Sequence, residues 1–243
     1  MGWQYQPGRP TVQETVTSAC RQLFGFDCDV TGCSRTDSGV HAIGFAATVT
    51  KKGTSSLETG IPVYRIPGAL NFYLPEQVAA TSASFVDEDF HPRYSAHSKT
   101  YKYLISLSGN RSPLLRGRVF IPRTDLSPDA VDRMNEAAKK LIGEKDFGTY
   151  MSAGSSITDT VRTVYDCNVS ASDGILTISI TGNGFLYNMV RIIAGTLLDV
   201  GYKKLEPSDI PDITLSCDRK KAGPTLPPYA LYLYSVDYSV PEN

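Results

Sequence analysis

Thr31-Gly32-Cys33-Ser34-Arg35-Thr36-Asp37-Ser38-Gly39-Val40-His41-Ala42 places an arginine, an aspartate, a glycine and a histidine within seven residues, between two segments with strand character. Small and polar residues flank the acid, so the run is a loop rather than a buried strand. Gly39 supplies a backbone turn that other residues disfavour. A carboxylate held in this way at the end of a strand is a candidate for chemistry, because loops braced by rigid elements are where reactive groups concentrate. A solvated surface turn is the other reading of the same residues.

Working outward, Thr11 and Glu14 have the spacing of a capping box. Val12, Val16, Cys20, Leu23 and Phe24 fall on one face at helical spacing, and Gly25 follows as a stop. Cys28 to Thr31 reads as a strand entering the loop and Ala42 to Thr50 as a strand leaving it. Ile66 to Leu74 is a short helix closed by Pro75, and Val78 to Val86 alternates as a strand would. This order of helix, strand, strand, helix, strand is α+β. The acidic run Asp87-Glu88-Asp89 sets an expected boundary between domains 1–86 and 87–240.

The second half opens on Phe90-His91-Pro92-Arg93-Tyr94-Ser95-Ala96 and Lys99-Thr100-Tyr101-Lys102-Tyr103-Leu104-Ile105. Strand alternation puts Tyr101 and Tyr103 on one face, which is either core or a stacking platform for bases. A strand is expected around Arg118-Val119-Phe120-Ile121. Ser127 then reads as the N-cap of a helix whose apolar face is Val131, Met134, Ala138, Leu141 and Ile142. A polar loop from Gly143 to Thr158 leads to strands near Arg162–Val169 and Ile175–Thr181. Asn183 to Gly201 is apolar nearly all round, a buried helix with Arg191 in its middle. A buried guanidinium needs a carboxylate or several acceptors, and any structural Asp or Glu would serve. A Pro-rich approach then leads into an alternating strand from Leu231 to Tyr238.

Composition narrows the function. The chain has 243 residues, ample for one large or two smaller cores, and 41% of them are hydrophobic. No apolar run approaches the ~20 residues needed to cross a bilayer, and no leader pattern opens the chain, so a cytoplasmic enzyme is expected. Five cysteines lack metal-site spacing and read as reduced structural thiols. Three scattered histidines do not form a zinc pattern, and no Walker A or GxGxxG loop points to a nucleotide cofactor. The expectation is no cofactor and no metal. The net charge is only −1, but Phe90 to Thr124 holds seven Lys or Arg residues and no Asp or Glu. Such a block is the footprint of a phosphate-contacting face, or else a solvated strand pair.

Several of these stretches carry a resemblance. Arg35-Thr36-Asp37-Ser38-Gly39-Val40-His41-Ala42 resembles the catalytic loop of the tRNA pseudouridine synthases of the TruA family, with Ser34 and Ser38 standing where that family usually has Gly and Ala. The Phe90–Ala96 run with its Tyr-Lys-Tyr strand, the Met189-Val190-Arg191 helix and the Ala222–Pro224 loop resemble the same family in the same order. The resemblance implies a pseudouridine synthase fold: two mixed α/β domains whose antiparallel sheets merge around a central basic cleft. It implies a homodimer acting on the anticodon arm of tRNA, isomerising uridine at positions 38, 39 and 40, without cofactor.

It also implies roles. Asp37 is the essential carboxylate, Arg191 its partner, and Tyr101 the ring against the target base. Arg35 fills the space left by the extruded nucleotide. Apart from the resemblance, Arg93, Lys99, Lys102 and Arg116 of the basic block are candidate phosphate contacts, and His41 is grouped with them as a substrate-binding residue. Family members usually open with a strand and a Tyr-Asp-Gly-Thr turn before Gly-Trp-Gln, whereas the match here begins at Gly2-Trp3-Gln4. The first strand is therefore expected to be missing, through a start lying downstream of the usual one or a shortened chain.

Two rival readings remain. The Asp37-Ser38-Gly39 triplet also fits an aspartic protease, but Arg35-Thr36 precedes it instead of an apolar strand and no second copy follows. The other rival is a catalytically impaired tRNA-binding or chaperone protein of the same fold.

Overall fold

The structure, a computed structural model, describes residues 1–239. In chain order its elements are α1 (Val12–Phe24), β1 (Cys28–Gly32), β2 (His41–Ala42), β3 (Ala47–Lys51), α2 (Ile66–Asn71), β4 (Ser98–Ser106) and α3 (Ala130–Lys139). Then follow β5 (Gly143–Asp146), β6 (Val161–Ser172), β7 (Ile175–Gly182), α4 (Met189–Gly201), α5 (Ile210–Leu215) and β8 (Leu231–Asp237). They form two compact units, the first holding Met1–Gly39 with Phe45–Ala96, the second Val40–Gly44 with the chain from His97 onward. The unit division and the sequence division after Val86 differ in where Val40–Gly44 and Asp87–Ala96 belong. The Asp37 loop itself crosses from one unit to the other at Gly39–Val40.

In the first unit, β1 and β3 pair antiparallel, with Val30 opposite Val49. The helix α1 starts where Thr11 accepts a hydrogen bond from the Glu14 N–H, and it ends at Gly25, whose φ of 78° suits glycine. Its apolar face meets alternate residues of β1, so that Ala19, Cys20, Cys28, Val30, Leu70 and Trp3 form the core. Among them, aliphatic side chains such as Val30 and Leu70 contribute about 1.5–3 kcal/mol each when fully buried. Val78–Val86, read from sequence as a strand, has no ladder partner and is not one. Instead the Asn71 side-chain amide bonds both the N–H and the C=O of Ala80, at 2.7 and 2.9 Å, taking the place of a neighbouring strand.

The second unit is built on a six-stranded sheet in the order β2-β8-β4-β7-β6-β5. All pairings are antiparallel except β2 with β8, which is parallel. The helices α3 and α4 cover one face, packing on each other and on β6 and β4 respectively. Tyr103, Ile105, Met134, Ile178, Ile180, Ile192 and Ile193 fill the space between, all fully buried.

The expected Ala42–Thr50 strand is split into β2 and β3. It breaks at Gly44, where a Cβ would lie 2.6 Å from the Tyr234 carbonyl oxygen. The expected strand at Arg118–Ile121 is a single bridge between Phe120 and Ile105. The polar stretch after Gly143 is not all loop, because it begins with the edge strand β5. The helix expected from Asn183 starts only at Met189, because Asn188 takes a left-handed conformation with φ of 62°.

Between α5 and β8, residues Gly223–Leu226 lie directly along α4. A Cβ on Gly195 would stand 1.9 Å from the Pro224 carbonyl oxygen, and one on Gly223 would stand 2.5 Å from Gly195. Two glycines thus let backbone touch backbone. Hydrogen bonds from Gly223 N–H to Thr196 Oγ1 and from Leu226 N–H to the Arg191 carbonyl fix the segment in place.

Candidate active site

Asp37 follows β1 in a loop braced on both sides. The Trp3 N–H donates to the Thr36 carbonyl at 3.1 Å, and Cys33 N–H donates to Ala46 at 2.9 Å. Gly2 lies so close that a Cβ there would meet Thr36 O at 2.8 Å. Trp3 packs its ring on Phe45, centroids 4.2 Å apart, and over Gly32. Gly39 takes φ of 85°, the left-handed turn read from its sequence context. The loop is therefore held by backbone bonds and by one buried indole.

The braced loop walls two neighbouring cavities of the first unit. One, about 250 Å³, is lined by Asp37, Arg35, Arg9, Gln4 and Trp3 among others. The second, about 220 Å³, shares Trp3, Gln4 and Arg35 and adds His91, Arg93 and Tyr94. Tyr94 stacks against His91 with centroids 4.4 Å apart, and the Arg93 guanidinium lies 5.6 Å from the Tyr94 ring. Of the residues singled out from sequence, Asp37 lines one hollow, Arg93 the other, and Arg35 both. Trp3 and Gln4 entered the sequence reading only as the point where the resemblance begins, and Arg9 did not enter it. Nothing in their spacing marks them, since their role arises from a tertiary contact with residues some thirty positions on.

The second unit holds the other candidates. Tyr101 is buried on β4, edge-on to Phe185 with centroids 5.1 Å apart. Tyr103, on the same face, is fully buried and donates its hydroxyl proton to the Pro227 carbonyl at 2.9 Å. Burial, then the neighbouring Tyr229, pushes the Tyr103 phenol well above its ordinary range, with Arg191 pulling the other way. Tyr103 is a structural tyrosine.

Arg191 is half-buried on α4. Its Nε donates to the Leu226 carbonyl at 2.7 Å and its Nη1 to Asn188 Oδ1. Asn188 in turn donates to Ser152 Oγ at 3.0 Å. Thus Arg191 is oriented by Gly223–Leu226 from one side and by Asn188 from the other. Asn188 and Ser152 were missed from sequence. The left-handed residue before the helix gives no periodic signal, although Asn is the non-glycine residue best suited to it.

The remaining candidates spread over the sheet. By strand alternation Lys99 shares the face of Tyr101, while Lys102 points to the opposite face. There the Lys102 ammonium sits 3.4 Å from the Tyr234 ring centroid. His41, on β2, stacks on Tyr232 and hydrogen-bonds the Gly117 carbonyl. Arg116 is exposed on the turn that carries Gly117. Asp37 belongs to one unit and Tyr101 and Arg191 to the other.

Known proteins now bear on these features. A family model described as tRNA pseudouridine synthase matches residues 137–239. A tRNA pseudouridine synthase A of Caldicellulosiruptor saccharolyticus is 44% identical over 237 residues, covering 98% of this chain and 93% of that protein. The protein of the same name from Thermoanaerobacter sp. is 41% identical over 237 residues, covering 98% and 93%. That of Chlamydia trachomatis serovar L2b is 37% identical over 240 residues, covering 99% and 88%. Among solved structures, a chain of a Cbf5-Nop10-Gar1 complex aligns at a TM-score of 0.34 and 11% identity, covering 83% of this chain and 49% of that one. With relatives this similar along nearly its whole length, the chain belongs to the tRNA pseudouridine synthase A family.

Proposed function

We propose that this chain isomerises uridine to pseudouridine in the anticodon arm of tRNA, at positions 38, 39 and 40. The observation that carries the reading is Asp37 itself: a carboxylate on a loop braced by Trp3 and turned at Gly39, bordering a cavity with Arg35 and Arg9. The reaction breaks the bond from uracil N1 to C1′ of the ribose and joins C1′ to C5. N1 takes up a proton, and C5 loses one to solvent. No electrons are gained or lost, so the residues need only bind, orient and exchange protons.

In this reading Asp37 is the ionised group at the reacting sugar and Arg191 its cationic partner, which favours the charged carboxylate. The base leaves its stack to be reached, Arg35 occupies the vacated space, and Tyr101 packs on the uracil. Arg93, Lys99 and Arg116 contact the phosphates. Lys102 does so from the other face of β4, and His41 serves substrate binding. The central basic cleft, the homodimer and the cytoplasmic location belong to the same proposal.

Unmodified tRNA transcripts incubated with the protein, then mapped chemically for pseudouridine, test it. Pseudouridine confined to positions 38, 39 and 40 is expected. Modification elsewhere would redirect the substrate assignment, and bound but unmodified tRNA would identify a binding protein of this fold.

A further inference from the structure

The chain between β4 and α3 leaves the sheet as a loop whose base is tied to the strand it leaves. Ser106 N–H donates to Phe120 O, and Phe120 N–H to Leu104 O, at 2.8 and 2.9 Å. Asp125 Oδ1 accepts from Gly109 N–H at 2.6 Å. A single 3-10 turn, Pro113–Leu115, forms the tip, and Gly117 follows with φ of 70°. Arg111, Arg116, Arg118 and Arg123 are all exposed, and among the described residues none of them is ion-paired. Leu114 at the tip is 89% exposed.

Two side chains grip this turn from the adjoining strands. His41 of β2 stands opposite Tyr232 of β8 in the register, and their rings stack at 4.7 Å with an 18° tilt. His41 Nε2 lies 2.9 Å from the Gly117 carbonyl oxygen, and the Tyr232 hydroxyl lies 2.8 Å from the Arg118 carbonyl oxygen. A carbonyl can only accept, so His41 carries its proton on Nε2. Consecutive carbonyls are thus drawn onto a stacked pair of donors while the arginines flanking Gly117 are left exposed to solvent.

We propose that Arg116 and Arg118 form an RNA-backbone contact, and that His41 and Tyr232 are positioning residues that aim it. The proposal rests on the tRNA reading above. Planar guanidinium groups with no carboxylate partner among the described residues, presented on a fixed turn, suit phosphodiester oxygens. His41, four residues after Asp37 in the chain, then acts on binding and not on the bond changes.

The test measures tRNA affinity against salt, together with steady-state isomerisation. For the Arg116→Ala/Arg118→Ala double variant, affinity should fall about tenfold or more and the slope of log K on log salt should shrink by about 2. His41→Phe, which keeps a ring for the stack but removes the donor, and Tyr232→Phe should raise KM several-fold with kcat held within about twofold. His41→Gln, which restores an N–H donor, should recover most of the loss.

A double variant with unchanged affinity and salt slope would overturn the contact. A His41→Phe variant that lowers kcat at saturating tRNA with KM unchanged would overturn the positioning role. If the parent binds tRNA and the double variant loses the slope, but neither isomerises, the isomerase reading fails and the contact stands. A parent that binds anionic vesicles but no tRNA sinks both.

Discussion

Asn188 is a residue whose conformation and contacts point to one job. Its left-handed φ of 62° frees the first turn of α4, and its side chain bridges Ser152 and Arg191. Replacing it with alanine would mix two effects, because a left-handed alanine costs about 1–2 kcal/mol by itself. Asn188→Gly removes the side chain while keeping the backbone at ease. The expected result is a fall in kcat of about tenfold with a thermal midpoint close to the parent's. An unchanged kcat would mean that Arg191 is oriented without Asn188.

Cys20 supplies a second prediction at this scale. Burial, with the nearby Cys28 adding to it, pushes its thiol up to about 12, far above an ordinary cysteine. The unfolded chain therefore ionises first as pH rises. Stability tied to Cys20 is complete below about pH 9 and is lost progressively toward pH 12, by up to about 1.4 kcal/mol per pH unit. Urea midpoints at pH 8 and pH 10.5 should show the loss, and Cys20→Ala should reduce it. Equal losses in parent and variant would place the alkaline sensitivity elsewhere.

At the scale of elements, the packing of α4 on Gly223–Leu226 governs how Arg191 is held. A methyl group on Gly195 would penetrate the Pro224 carbonyl. Gly195→Ala should destabilise by about 3 kcal/mol in urea unfolding, and isomerisation should fall further than stability alone explains. Full stability would show that the Pro224 segment shifts freely.

The elements also show what the sequence could and could not convey. Apolar periodicity located α1, α3 and most of α4, and alternation located β4, β6, β7 and β8. It overran at Asn183–Asn188, where the apolar pattern continues but the backbone turns. It failed at Val78–Val86, because alternation marks a strand only where a neighbour offers a ladder. Ser127, expected as the cap of α3, lies two residues before the observed cap at Asp129. Gly143–Asp146 looked like loop because an edge strand needs no apolar face.

At the scale of the whole molecule, the residues proposed for the chemistry are divided along the chain, with Asp37 in the first unit and Tyr101 and Arg191 in the second. Local pattern marked the Asp37 loop because Gly39, the acid and the small residues lie side by side. It marked Tyr101 and Arg191 as unusual without giving their partners, and the partners proposed for them come from the resemblance. Trp3, Asn188, Ser152 and the grip of His41 and Tyr232 on the arginine turn arise from contacts between distant residues, so no single stretch announces them.

The account turns on Asp37. The most direct test is tritium release from tRNA labelled at uridine C5, measured for the parent and for Asp37→Asn, which keeps the shape of the side chain and removes its charge. The hydrogen at C5 must be lost when that carbon takes the sugar. Release by the parent, and a fall of at least about 10³-fold in the variant with tRNA affinity retained, is the predicted result. Comparable release from both proteins would contradict the account.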